Sequence, residues 1–364
     1  MKKITVVMGT RPEAIKLCPL VRELRGRAGF FVSVLSSGQH GELLRETMHD
    51  FEMGADFELD TMRAGQSAAT LFSKILLGTD RILRREKPDL VIVQGDTATA
   101  LAAAQAAFYN GIEGGHVEAG LRTYHMRSPF PEEMHRRAIA LMSDYHFAPT
   151  PTAAKHLIGE GIEEGRVYVT GNTVVDALRY TLTREPARMP TVPKGCRLLL
   201  FTAHRREHWG RTMEGMLRAL RRIVEAHPDV VAVCPLHPNP AVRRVASKML
   251  SGHGRILCIE PPSVVAFHRL LSESYLVLTD SGGIQEEATA LGIPTVVMRY
   301  STERTEGVLS GNLRLSGSGE EGIIEATELL LRPDSELYRS MRRPSAVFGD
   351  GGACKRIADI LQKI

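Results

Sequence analysis

Short apolar runs that stop at a polar turn and lead into a helical stretch recur along this chain. The run from Tyr275 to Met298 is the plainest of them. Tyr275–Thr279 reads as a buried strand, Asp280-Ser281-Gly282-Gly283 breaks it, and Ile284–Leu291 reads as a helix closed by Gly292. Pro294–Met298 then reads as the next strand. A strand, a Ser-Gly-Gly turn and a helix N-terminus together present unpaired backbone N–H groups that an anion can approach. Glu286 and Glu287 are expected in the first turn of that helix, where the dipole favours acids and one of them can accept from a ribose. The expected ligand is therefore of nucleotide type.

The same rhythm runs through the whole chain. Ile4–Met8 is a strand turned by Gly9-Thr10-Arg11, and Pro12 suits the first position of a helix whose apolar residues include Ile15, Leu20, Val21 and Leu24. Phe30–Leu35 is a strand, followed by helical segments at Glu42–Phe51 and Ala68–Glu86. Asp89–Gln94 is another strand, and Gly95-Asp96-Thr97 opens an alanine-rich helix that runs to Asn110. Further strands end at Val117 and cover Tyr145–Ala148 and Val167–Thr170.

The alternation restarts after the proline-rich stretch 186–193. Strands at Arg197–Phe201, Val230–Cys234 and Ile256–Ile259 alternate with helices at Thr212–Ala226 and Ala241–Leu250, and helices near Ile323–Leu331 and Ala353–Leu361 complete the set. With 364 residues, one ordinary core is too small a home for the chain. The pattern predicts an α/β protein of two doubly wound Rossmann-like domains facing a cleft. Their expected limits are 1–171 plus 353–364 for the first and 172–352 for the second.

A formal charge of +4 is mild, and the paired arginines (84–85, 136–137, 221–222, 243–244, 342–343) are dispersed along helical patterns. They read as solvated helix faces, which argues against a nucleic-acid partner. The five cysteines are scattered and never spaced as C-x-x-C; several lie in apolar runs, so buried free thiols in a reducing compartment are expected. No apolar run approaches membrane length and the chain begins directly with a strand pattern, so a cytoplasmic location without membrane contact is expected.

Polar residues gather just past the ends of the apolar strands: Arg11, Asp96 and Glu118 in the first half, His204, His237 and Ser281 in the second. In an open parallel sheet, ligands bind outside those carboxyl ends. Taken singly, each is open to a blander reading: Asp96 precedes Thr97 and would serve as a helix cap, Glu132 as a surface acid, and 281–283 as turn chemistry. Gly317–Gly322 fits G-x-G-x-x-G but follows only a short apolar segment, so it reads as a loop and helix start rather than a nicotinamide site. His204–His208 fits H-x-x-E-H but follows a strand and runs into Trp209-Gly210, against zinc. Phe108 and Tyr109, at the end of a helix, read as core rather than as a base-stacking surface.

Seven segments occur in a recognisable order: GTRPEAIK (9–16), GDT (95–97), HVEAGLRT (116–123), SPFPEE (128–133), GNTVVDAL (171–178), HRRE (204–207) and DSGGIQEE (280–287). Through them the chain resembles the non-hydrolysing UDP-N-acetylglucosamine 2-epimerases along nearly its whole length. The resemblance implies a two-domain, glycosyltransferase-B-like fold and interconversion of UDP-GlcNAc and UDP-ManNAc for surface polysaccharides, by elimination of UDP to a 2-acetamidoglucal and re-addition. It implies a homodimer, with neither a nicotinamide nor a catalytic metal. Matched position by position, it gives Asp96, Glu118, Glu132, His204 and Lys16 as catalytic. Arg11, Lys16, Phe267, Ser281, Gly282, Gly283, Glu287 and Arg304 match the contacts to substrate and UDP.

The chain departs from the family pattern at Gln94 (often His), Tyr124 (often small), Pro262 (often Gln), and Tyr300 and Thr305 (often Asp and Pro); none of these is a catalytic acid. Gln39, Arg205 and His237 are compatible with a second, regulatory UDP-GlcNAc site, whereas Glu42 and Gly65 replace a common Gln and Arg. A glycosyltransferase on the same fold would need fewer acids and an acceptor groove. A hydrolysing epimerase is disfavoured by the Gly9–Lys16 motif, and a sensor without turnover would have no use for all three acids.

Overall fold

A computed structural model describes residues 1–364, apart from Ala64, His204, Arg206, Glu207, His237, Pro238 and the side chain of Ala241. The chain divides into two compact units, Met1–Thr181 with Gly349–Ile364, and Leu182–Phe348.

The first unit is built on seven parallel strands: β1 (Lys2–Met8), β2 (Phe30–Ser36), β3 (Phe57–Glu58), β4 (Leu90–Gln94), β5 (Glu113–Val117), β6 (Tyr145–Ala148) and β7 (Val167–Val169). Their order in the sheet is β3-β2-β1-β4-β5-β6-β7. Every residue of β4 is buried, as expected of a central strand covered on both faces, and this is why Leu-Val-Ile-Val reads as a continuous apolar run. The alanine-rich helix Ala98–Tyr109 packs Ala100, Ala103 and Ala107 with Val7, Val91 and Val93, and these small side chains allow helix and sheet a close approach. Phe108 and Tyr109 do not join that core: they are 57% and 65% exposed, because the helix turns them away from the sheet in its last turn.

The second unit repeats the plan with β8 (Arg197–Thr202), β9 (Val230–Pro235), β10 (Ile256–Ile259), β11 (Leu276–Thr279), β12 (Thr295–Val297) and β13 (Leu313–Leu315). All pair in parallel, in the order β10-β9-β8-β11-β12-β13. Met213, Met216, Leu217 and Leu220 of the helix Arg211–Ala226 fill the core against Leu199 and Phe201 of β8. The late G-x-G-x-x-G segment follows the three-residue β13, and its helix begins only at Glu320.

The division between the units differs from the expected limits. The helix Thr173–Leu182 packs in the first unit, where the Asp176 carboxylate accepts from the N–H groups of Ala353 (3.2 Å) and Cys354 (2.9 Å). Those bonds tie the last helix, Ala353–Leu361, to the same body. All five cysteines are free; Cys18, Cys234 and Cys354 are buried, Cys196 is half-buried, and Cys258 is exposed because β10 lies at a sheet edge. No helix among the described residues is long and apolar enough to cross a membrane.

Candidate active site

In the first unit the polar residues converge at the carboxyl ends of β1, β4 and β5. After β1, Thr10 caps the helix Arg11–Arg25 in a capping box with Glu13, and Pro12 stands at its second residue, where a missing N–H is harmless. Arg11 begins that helix, and Lys16 lies on its buried face, 7% exposed.

Glu118 follows β5 with φ of +63°, a left-handed conformation unusual for a side chain longer than Asn and the kind of strain found where a group must be held in place. Its carboxylate is buried and forms an ion pair with Lys16. The same Oε2 accepts from Gln94 Nε2 at 3.0 Å and from Asn172 Nδ2 at 3.1 Å. Strand β4, strand β5, the first helix and the segment after β7 therefore all contribute to one carboxylate.

Asp96 is not the cap of its helix. Thr97 holds that position, its hydroxyl accepting from Ala100 N–H at 3.0 Å. The Asp96 side chain is thereby released to accept from Arg136 Nε at 2.7 Å, while its backbone carbonyl faces His135 Nδ1 at 2.8 Å. Arg136 also reaches the fully buried Glu133 at 3.3 Å, and Glu133 accepts from the N–H groups of Thr123 and Tyr124. Glu132 is half-buried in the first turn of the helix Glu132–Met142, where the dipole favours its negative charge. Four residues before Arg136, it shares a helix face with the arginine that holds Asp96.

His116, on β5, is fully buried, and burial lowers its pKa to about 3, so it is a neutral imidazole. Its Nε2–H donates to the Gly95 carbonyl at 2.8 Å and steadies the turn that carries Asp96. Burial lifts the Glu13 carboxyl to about 7, against hydrogen bonds from Thr97, Thr10 and the Gly9 N–H that pull it down.

In the second unit, the helix after β11 spans Gly282–Leu291 with Ser281 as its N-cap. Gly282 and Gly283 are thus its first turn rather than a turn before it. Glu286 and Glu287 consequently fall in the second turn, not the first. Both are buried: Glu286 accepts from Arg304 Nε at 2.8 Å, and Glu287 lies 3.4 Å from His268 Nε2. A side chain at Gly282 would meet the Arg304 guanidinium at 2.9 Å, whereas the space above Gly283 is open. The helix N-terminus therefore combines free backbone donors with a close guanidinium, a strong anion-binding combination. Burial by itself would raise the Glu303 carboxyl, but Arg304 and Arg299 outweigh it and hold it well below the usual carboxylate range.

Asp280, fully buried, accepts at Oδ2 from Arg205 N–H (3.1 Å) and faces His208 Nδ1 at 3.0 Å; its carbonyl accepts from Arg205 Nε at 2.9 Å. It thereby anchors the segment after β8. His204, a predicted catalytic residue in that segment, and His237 lie outside the described residues. Phe267 is half-buried on the helix Val264–Glu273 against Leu271 and Ile284. Gln39 accepts from Thr99 Oγ1 at 2.8 Å and borders a recess of about 600 Å³ that Glu42, Arg45 and Glu58 also line. Among the described residues no three His, Cys, Asp or Glu side chains gather as metal ligands.

The structure thus brings Lys16 to Glu118 and sets Asp96 and Glu132 about Arg136. It places Ser281, Gly282, Gly283 and Arg304 together, with Glu287 one turn on. Sequence reasoning missed Asn172, Arg136, Asp280 and Glu13. All four lie inside or beside the motifs, and all four are buried polar side chains.

The family profile for UDP-N-acetylglucosamine 2-epimerase matches residues 22–362. The UDP-N-acetylglucosamine 2-epimerase of Bacillus subtilis strain 168 is 44% identical over 366 residues, covering 99% of this chain and 96% of its own. The Neisseria meningitidis UDP-GlcNAc 2-epimerase, solved bound to UDP-GlcNAc, superposes with a TM-score of 0.96 at 40% identity over all of both chains. The Staphylococcus aureus MnaA structure with UDP gives 0.94 at 42% identity, covering 100% of this chain and 96% of that one. The chain belongs to the UDP-N-acetylglucosamine 2-epimerase family.

Proposed function

We propose that this protein interconverts UDP-N-acetylglucosamine and UDP-N-acetylmannosamine without hydrolysis, by eliminating UDP and adding it back. The observation that carries the mechanism is the buried Glu118 carboxylate, held by Lys16, Gln94 and Asn172 at the strand ends where Asp96 also stands. Support for the ligand comes from relatives solved with UDP-GlcNAc and with UDP.

Carbon 2 of the sugar has no neighbouring carbonyl, so its proton leaves only if the electron pair has somewhere to go. A carboxylate takes the proton, the pair forms the C1–C2 double bond, and the C1–O bond breaks toward UDP. The return step adds a UDP oxygen to C1 and a proton to the other face of C2, giving the epimer. Glu118, Asp96 and Glu132 share removal and return of the proton. Lys16 forms an ion pair with Glu118 and holds its carboxylate in place.

Arg11, His204, Arg304 and the helix N-terminus at Ser281–Gly283 stabilise the departing diphosphate. Glu287 accepts from the ribose and Phe267 packs on the nucleotide. Lys16 and Arg11 also hold the sugar end. The protein works as a homodimer in the cytoplasm, and its product feeds surface polysaccharide synthesis.

The test is chromatographic. Incubation of pure enzyme with either nucleotide sugar should converge on one ratio of the two, with total UDP-sugar conserved. Accumulation of UDP with free sugar, or no conversion from either side, contradicts the proposal.

A further inference from the structure

Glu13 has no role in the chemistry above, yet it is fully buried. Its Oε2 accepts from Gly9 N–H at 3.0 Å, Thr10 N–H at 2.8 Å and the Thr10 hydroxyl at 2.7 Å. Its Oε1 accepts from the Thr97 hydroxyl at 2.7 Å, the same hydroxyl that caps the helix after β4. One carboxylate therefore joins the turn after β1 to the turn after β4.

Capping accounts for only half of this arrangement. The first helix needs Oε2 for its capping box. The bond from Oε1 crosses to another element and gives the first helix nothing. Burying a carboxylate is costly unless each oxygen is satisfied, and a capping glutamate works as well at a surface.

Direct pairing of β1 with β4 does not reach the two turns. The register between β1 and β4 runs from Ile4–Leu90 to Val6–Ile92 and stops there, several residues short of Gly9 and Asp96. Beyond that point Glu13 bonds one turn to the other through Thr97, and the Thr99 side chain packs closely on Gly9. The first turn leads into Arg11 and Lys16; the second carries Asp96.

Resting on the activity proposed above, we infer that Glu13 is a positioning residue. Through Thr97 it sets the spacing between the turn that presents Arg11 and Lys16 and the turn that presents Asp96. Both oxygens of Glu13 are taken up by donors of the protein itself.

The experiment is a kinetic double-mutant cycle of Glu13→Ala and Thr97→Val in the full chain, with kcat, KM, UDP affinity and Tm measured on each variant. Misplacement of catalytic groups by about 1 Å costs about 10²-fold in rate. Each single variant should therefore lose about 10- to 100-fold in kcat, with a smaller loss in UDP affinity, because Arg11 is the one diphosphate contact on the displaced turn and the anion-binding turn at Ser281–Gly283 lies in the other unit. The double variant should be no slower than the slower single, and Thr97→Ser, which keeps the hydroxyl, should restore kcat.

A merely structural cap would lower Tm and leave kcat within about twofold, which would overturn the inference; so would additive effects in the cycle. If Glu13→Ala does not fold, the kcat of Thr97→Val against Thr97→Ser decides: both leave the capping box of the first helix intact, and the loss of the Thr97 cap on the helix after β4 is read separately in Tm. Wild-type enzyme that fails to epimerise would overturn the activity itself and this role with it. An active wild type beside an unaffected Glu13→Ala overturns this role alone.

Discussion

Glu118→Gln keeps the length of the side chain and removes its charge. Lys16 is left behind in a place where its own side chain is 9% exposed and that of Glu118 is 6%, so little water is available to take over. The amides of Gln94 and Asn172 still find an acceptor in the new carboxamide. Stranding one partner of a buried pair costs about 3–5 kcal/mol, and these compensations place this variant near the lower end, about 3 kcal/mol. For a unit of roughly 200 residues each kcal/mol moves Tm by about 2–4 °C, so a fall of about 10 °C is expected in scanning calorimetry. Removing both charges, in Lys16→Met/Glu118→Gln, should recover at least half of it, because no uncompensated charge remains. Both variants should lose epimerisation while retaining UDP affinity. A fall of less than about 2 °C, or a double variant no more stable than the single, would show that no charge is stranded by the change.

Other expectations follow from the same contacts. Arg136→Met frees Asp96 and strands the buried Glu133, and should cost about 3 kcal/mol together with most of kcat, read by calorimetry and progress curves. Gly282→Ala should push the Arg304 guanidinium aside and weaken UDP binding about tenfold or more in titration calorimetry; Gly283→Ala, with open space above it, should leave Tm within about 1 °C. Glu13 has its folded pKa raised from 4.5 to about 7, so between those values the native state keeps a proton that the unfolded chain has lost. That contribution is full below 4.5 and is lost as pH rises through 7; the stability of wild type relative to Glu13→Gln should fall by about 3 kcal/mol from pH 4.5 to 8 in denaturant titrations. Cys258, exposed beside the buried Cys234 on the neighbouring strand, should be alkylated by iodoacetamide before any other cysteine, as peptide mass mapping would show.

The strands of both sheets were legible because a covered parallel sheet demands continuous apolar runs, as in Leu90–Val93 and Leu198–Phe201. Helix starts were less so. Gly282 and Gly283 looked like a turn because glycine is a poor helix former, yet Ser281 caps a helix that begins with them. Taken alone, Asp96 is open to reading as a cap as well as a catalytic acid because Asp and Thr both cap well; the Thr97 cap and the Arg136 bond to Asp96 appear only in the structure. Phe108 and Tyr109 looked like core because composition cannot say where the last turn of a helix points. The Glu13–Thr97 and Asp280–His208 links join residues more than seventy positions apart, and no local pattern encodes them.

If a carboxylate removes the carbon-2 proton while UDP is held for return, a solvent proton enters at carbon 2. Running the reaction on UDP-GlcNAc in deuterated water, followed by proton NMR, tests it most directly. Deuterium is expected at carbon 2 of intact UDP-ManNAc. Epimer formed with the carbon-2 proton retained, or UDP released with free sugar and no epimer, would contradict it.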